Sequence, residues 1–170
     1  MILTPFLRRL APGSIVTMLA VLAGCAALAP GGLPAGTSIG QARAAWVGPT
    51  GEYPLAGGGT RLEFAQGSFG KQTYMLDFDK AGVLVSSRQV LTESNLATIA
   101  PGMSADEVRM RFGRPVQVFG VRYPRAHVWN YRFDGGDCVW YQVSIGDADQ
   151  RVVESGVAPD PACDGPSRRD

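Results

Sequence analysis

Few side chains in this 170-residue sequence are equipped for covalent or acid–base chemistry. His127 is the sole imidazole. It precedes Val128-Trp129 in a strand-like stretch, with no Ser or Cys motif beside it to complete a triad, so a structural or edge position is expected. Gly67-Ser-Phe-Gly-Lys71 is too tightly spaced for a phosphate loop, and Gln72 stands where Ser or Thr would hold magnesium; a hairpin turn accounts for it better. Asp77, Asp79, Asp134, Asp137, Asp147 and Asp149 bracket turns, where carboxylates accept local backbone hydrogen bonds. No Asp-x-Asp-x-Asp-Gly loop supports calcium, and no Cys-x-x-Cys supports zinc or dithiol redox work. The residues point to no enzyme, no metal and no cofactor.

The thiols remain: Cys25, Cys138 and Cys163. Cys25 closes a distinctive N-terminus. Arg8 and Arg9 precede the apolar run 15–24, which is too short to span a bilayer, since a spanning helix needs about 20 apolar residues. A basic region followed by a short apolar one is the layout of a secretory signal. The residues around Arg8-Arg9 match a twin-arginine signal poorly, so the pair serves as ordinary basic charge. Leu22-Ala-Gly-Cys25 resembles the lipobox of bacterial lipoproteins: small side chains let the backbone enter the peptidase cleft, and the thiol accepts a diacylglyceryl group. Residues 1–24 are therefore expected to be a signal peptide, and Cys25 a lipidation site. Each buried methylene contributes about 0.8 kcal/mol, so several acyl chains (palmitate among them) anchor stably where one does not. Ala26 leaves no Asp next to Cys25 as an inner-membrane retention signal. The expected address is the outer membrane, with the folded part facing the periplasm.

Lipid on Cys25 leaves an even pair. Cys138 and Cys163 in an oxidising compartment suggest one disulfide, with two unpaired thiols as the alternative. It would tie the Pro-rich tail to a strand and stabilise the fold by roughly 3 kcal/mol through loop closure. Sixteen basic against fifteen acidic side chains argue against a nucleic-acid partner. Twenty-two Gly and twelve Pro favour turns and β structure over long helices.

Residues 25–37 read as a flexible tether. A short helix over 38–46 follows, capped by Ser38 or Thr37, and then strands at 61–64, 73–78 and 83–90. A short helix at 93–99 precedes one with a clear local signal. Ser104 and Glu107 form a capping box, Met103 and Val108 a hydrophobic staple, Gly113 takes a left-handed position after the helix, and Pro115 prevents continuation. Strands are expected at 116–119, 126–133, 138–145 and 151–154. In 129–133 the aromatics Trp129, Tyr131 and Phe133 share one face. Trp140 and Tyr141 are adjacent, so they point to opposite faces and one becomes a candidate surface anchor.

The halves look alike. The run 79–87 resembles 147–155 in register, and Gly48 to Phe64 spans the same distance as Gly113 to Trp129. The expected fold is α+β: short helices packed on an antiparallel three-stranded sheet, as a tandem of two similar modules. The divisions would fall at 38–92 for the N-terminal module, 93–157 for the second and 158–170 for a C-terminal tail.

The stretch Ile99-Ala-Pro-Gly-Met-Ser-Ala-Asp-Glu-Val-Arg-Met-Arg-Phe-Gly-Arg-Pro115, with Trp129-Asn-Tyr131 after it, resembles the SmpA/OmlA (BamE-like) family. The resemblance covers about residues 94–155. It implies a non-enzymatic outer-membrane lipoprotein that helps assemble or stabilise β-barrel proteins, with β-barrel assembly proteins as partners. The same stretch is similar to the tandem domains of β-lactamase inhibitory protein, which implies a periplasmic protein-binding or inhibitor module as the alternative. Under either resemblance Gly102, Met103, Ser104, Glu107, Val108, Gly113, Pro115, Trp129 and Tyr131 are structural motif residues. None transfers as a partner contact. Residues 38–92 have no counterpart in a one-module member of the family.

Overall fold

The computed structural model describes residues 30–45, 48–66, 70–133, 135 and 138–163. Cys25, the signal and the end of the tail lie outside the described residues.

The fold is mostly β, which overturns the expectation of helices packed on three-stranded sheets. Helix α1 (Ile39–Ala44) precedes strands β1 (Gly51–Pro54), β2 (Thr60–Gln66), β3 (Gln72–Phe78) and β4 (Leu84–Gln89). Helices α2 (Glu93–Leu96) and α3 (Ala105–Phe112) lead into β5 (Gln117–Arg122), β6 (Arg125–Tyr131), β7 (Val139–Gly146) and β8 (Val152–Pro159). Each set of strands forms a four-stranded antiparallel sheet in sequence order. Each sheet has its first and last strands as edges, β1 and β4 in one and β5 and β8 in the other. Helices of six, four and eight residues are too short to form a continuous layer over such sheets.

The two units repeat residue for residue. Leu62 pairs with Leu76 as Trp129 pairs with Val143, and Phe64 with Tyr74 as Tyr131 with Tyr141. The ladder slips at Asp77/Phe78 in one sheet and at Ser144/Ile145 in the other. Ile39 N donates to Gly82 O, and Ala105 N to Gln150 O, both at 2.8 Å. Ser38 bridges Val83 as Ser104 bridges Arg151. Within the sheets Phe64 thus corresponds to Tyr131 and Leu62 to Trp129, two residues away from the Phe64–Trp129 match suggested by loop spacing.

Residues 30–37, expected to be flexible tether, pack on the first sheet. Leu33 lies against the core formed by Ala42, Leu62, Phe64, Leu76, Phe78 and Leu84. Thr37 O accepts from Leu84 N as Met103 O accepts from Val152 N. This run is the first unit's counterpart of the segment leading into α3. Its partly buried Leu33 and buried Thr37 explain why a Gly/Pro-rich stretch is ordered.

The larger core joins the units. Val108 and Phe112 of α3 cluster with Trp129, Tyr131, Val143 and Ile145 of the second sheet and with Met75 of the first. Helix α3 is therefore held between two sheets, and the layers run α1, first sheet, α2 with α3, second sheet. The β1–β2 and β3–β4 turns with the start of α1, and the β5–β6 and β7–β8 turns with the start of α3, lie at the same end.

Candidate functional site

The motif residues shape this junction. Ser104 Oγ caps α3 by accepting from Glu107 N at 3.1 Å. Glu107 turns to Arg111 at 3.7 Å, whereas Ser38 and Gln41 at α1 form the full reciprocal box. Met103 packs against the core that buries Val108. Gly102, at φ +87°, donates to Val152 O and accepts from the Arg151 guanidinium. Gly113 has φ +79° and ψ −169°. That is an extended glycine conformation rather than the left-handed helical cap expected from the sequence. Pro115 follows in the link to β5. Tyr131 Oη donates to Gly113 O at 3.0 Å, and Arg109 lies 4.7 Å over the Trp129 ring. Burial pushes the Tyr131 hydroxyl well above its ordinary range, so it stays a neutral donor.

Beneath α3 the first sheet buries charge. Arg61 forks onto Asp77 and donates a third bond to Met110 O of α3 at 2.8 Å. Glu63 is fully buried and accepts from Tyr53 Oη at 2.6 Å and Thr50 Oγ1 at 2.9 Å. These carboxylates are engaged in structural bonds.

Cys138 and Cys163 are joined, with Cα atoms 5.3 Å apart, and Asp160 N donates to Cys138 O across the same loop. Asp160 also holds Arg132, whose guanidinium stacks 4.7 Å over Trp140. The bond closes a loop of 25 residues. Replacing both cysteines by serine should cost roughly 3 kcal/mol. Urea unfolding of oxidised wild type against the double variant checks this, and superimposable curves would refute it.

His127 is a surface residue whose Nδ1 meets Asp147 at 2.7 Å. Among the described residues no group of three His, Cys, Asp or Glu is placed to hold a metal, and no helix is long and apolar enough to cross a membrane.

Trp140 and Tyr141 do point to opposite faces, but both are buried, so neither is the surface anchor expected from their adjacency. Tyr141 enters the main core and Trp140 is roofed by Arg132. Among the described residues, exposed large apolar side chains stand singly at Val85 on β4 and at Val153 and Val157 on β8, and concentrate on and beside β5. All six of its residues are exposed, with Val116, Val118, Phe119, Val121 and Tyr123 forming a run at the sheet edge. Tyr123 is 92% exposed. Sequence reading found a strand here and missed its exposure, because an apolar edge strand reads like a buried one. The available signal was apolar residues at consecutive positions, Val118 and Phe119, which must face both sides.

The first unit shows what such an edge looks like when it is protected. In β1, Glu52, Tyr53 and Pro54 lie opposite Leu62, Arg61 and Thr60. In β5, Val118, Phe119 and Gly120 lie opposite the equivalent Trp129, Val128 and His127. β1 is four residues long, its Glu52 is paired bidentately with Arg43, and it ends on a proline. Charge, shortness and proline are the usual devices that stop a free edge from recruiting another strand. β5 is six residues long, contains no proline and carries its single charge, Arg122, only at its last position.

No family model matches the chain, and no curated protein does. Among solved structures the chain is similar to a cysteine-rich secretory protein from Staphylococcus aureus subsp. aureus Mu50, at 12% identity. The match spans 75% of this chain and 45% of that one, with a TM-score of 0.29. The chain thus covers less than half of that protein's length, and a likeness this distant says nothing about shared fold or function.

Proposed function

We propose that this chain is a lipid-anchored, non-enzymatic scaffold of the bacterial outer membrane that helps assemble or stabilise β-barrel proteins by docking a strand. The observation that carries the reading is β5, an unprotected edge strand with apolar side chains on both faces. An added strand gains main-chain hydrogen bonds along the edge, and its alternate side chains meet Val118 on one face and Phe119 and Val121 on the other. β-Barrel chains before closure carry free edges of their own, so a scaffold that takes up strands suits that class of client. The stretch that resembles the SmpA/OmlA family leads directly into this strand. Lipid on Cys25 and partners from the β-barrel assembly machinery complete the reading.

The test combines location and partner. Cys25→Ser should leave an unprocessed precursor, and wild type recovered from detergent-solubilised envelope should carry β-barrel assembly subunits that Phe119→Lys loses. Normal lipid labelling of Cys25→Ser would overturn the anchor, and equal recovery by Phe119→Lys would overturn the docking edge.

The stacked duplicate unit favours a second reading, a tandem periplasmic inhibitor similar to β-lactamase inhibitory protein. Recovery of a soluble periplasmic protein alone would select it.

A further inference from the structure

The β5 edge ends in two arginines, beside a turn whose Asp147 donates its N–H to Arg125 O at 3.2 Å and gives its carboxylate to His127. Arg122 and Arg125 lie directly opposite each other as the last pair of the β5–β6 ladder, and both are exposed. Among the described residues neither side chain makes a hydrogen bond or an ion pair. Like charges placed directly across a ladder destabilise it. Several other cations here are paired, Arg43 with Glu52, Arg111 with Glu107 and Thr98, and Arg88 with Asp77, while Lys80 and Arg114 stand exposed singly; Arg122 and Arg125 differ in facing each other across one ladder rung. Between the two arginines the turn presents Tyr123, the most exposed large apolar side chain described. An apolar edge about 20 Å long, finished by a tyrosine and two guanidiniums, is chemically asymmetric along its length. Arg and Tyr are also the side chains most often found as binding anchors.

We propose that β5 receives an extended segment of another protein whose apolar residues alternate along the strand and whose end over the 122–125 turn carries carboxylates. This deepens the strand-docking reading and rests on it. A carboxylate accepts the planar fork of a guanidinium bidentately, so one or two acidic side chains at that end set the register of the incoming strand. A lysine-ended strand would add a third and fourth positive charge to the same turn. An anionic membrane surface is a weaker match to the geometry. The chain enters the first sheet with Gly31 against Tyr74, near the start of β3 and so at the end of the strands opposite the β3–β4 turn. The arginines thus lie at the end away from the anchor side.

The experiment uses the processed chain with three synthetic probes: a Thr-Val-Thr-Val-Thr-Val peptide ending in Asp-Asp, in Ser-Ser or in Lys-Lys. Binding is read by fluorescence anisotropy at low salt and by hydrogen exchange at the β5 amides. The Asp-ended peptide should bind about five-fold more tightly than the Ser-ended one, a modest preference because the charge pairs are exposed. It should also slow exchange at Val118 to Val121. Arg122→Ala with Arg125→Ala should erase the preference while keeping the protection. Equal binding of all three peptides with β5 protected would overturn the acidic class and leave the docking edge standing. No protection by any peptide would overturn both. Protection that grows with protein concentration alone would identify a second copy as the occupant, and overturn the acidic partner. Binding to phosphatidylglycerol vesicles that depends on the two arginines, with no peptide bound, would reassign them to lipid.

Discussion

Arg61→Ala should lower the unfolding free energy by about 4 kcal/mol at pH 7, the cost of leaving a buried carboxylate without its partner. Arg61 and Asp77 are both almost wholly enclosed, at 10% and 13% side-chain exposure. Asp77 retains only the longer contact to Arg88 at 3.3 Å once Arg61 is gone. The variant also loses the bond to Met110 O, which ties the first sheet to α3. Chemical denaturation with two probes separates these effects. The near-ultraviolet signal of Trp129 should lose amplitude if α3 loosens before the sheets melt. An Arg61→Met, Asp77→Leu double variant should recover most of the loss, because an apolar pair of similar volume needs no desolvation. A single variant within 1 kcal/mol of wild type would show that the pair contributes little.

The same pair sets an acid limit. Burial alone would push the Asp77 carboxyl up, but hydrogen bonds and charge from Arg61, with help from Arg88, outweigh it and hold the carboxyl below its ordinary value. A depressed folded-state value contributes stability that is fully present above the unfolded value of about 3.9. That stability is lost as pH falls through the lower folded value. The penalty of Arg61→Ala should therefore shrink below pH of about 4, and a penalty constant from pH 7 to pH 2 would contradict this.

Gly113→Ala should cost about 4 kcal/mol, combining a glycine-only backbone with an overpacked contact. A Cβ there would meet the Glu63 carboxyl carbon at 2.9 Å and Thr73 at 3.1 Å. Glu63 cannot retreat, since Tyr53 and Thr50 hold its two oxygens. Burial, reinforced by the hydrogen bond to Glu63, raises the Tyr53 hydroxyl's pKa above its ordinary value, so it remains a donor across the whole working range. Gly102→Ala is the matched control. Its φ is as positive, but no atom lies within 4 Å of the added carbon, so about 1 kcal/mol of backbone strain is the whole expected effect. Equal losses for the two variants would mean that conformation rather than crowding sets the cost at Gly113.

The sequence shows local order well and long-range polarity poorly. Alternation identified β2, β3, β6 and β7, and the Ser104 start with its Gly113-x-Pro115 stop identified α3. β1 escaped because four residues containing both a glycine and a proline carry no alternation to read. The Arg61–Asp77 bridge spans sixteen positions, and the bond from Arg61 to α3 spans 49, distances at which no spacing rule applies. α3 reads as a one-sided amphipathic helix, yet its second side lies on a neighbouring sheet and is satisfied partly through its main chain, which carries no sequence signal. The duplication was visible in register from 79 to 87. Loop lengths then misled the match of Phe64, because turns accept insertions that ladders do not.

The packing of residues 30–37 has a mechanical consequence. If Cys25 carries the proposed acyl chains, four residues lie between it and Pro30, and the five Cα steps form a leash that reaches about 18 Å at full stretch. A domain held so short would not roll freely over the surface. The described chain begins by Tyr74, while Tyr123 lies at the far end of the strands, so under the proposed anchoring the short leash would act as a coarse compass. It would keep the hairpin tip raised from the bilayer. Lengthening the leash with a flexible insert after Ala26 would preserve anchoring and dilute that orientation, separating the contribution of attachment from the contribution of aim.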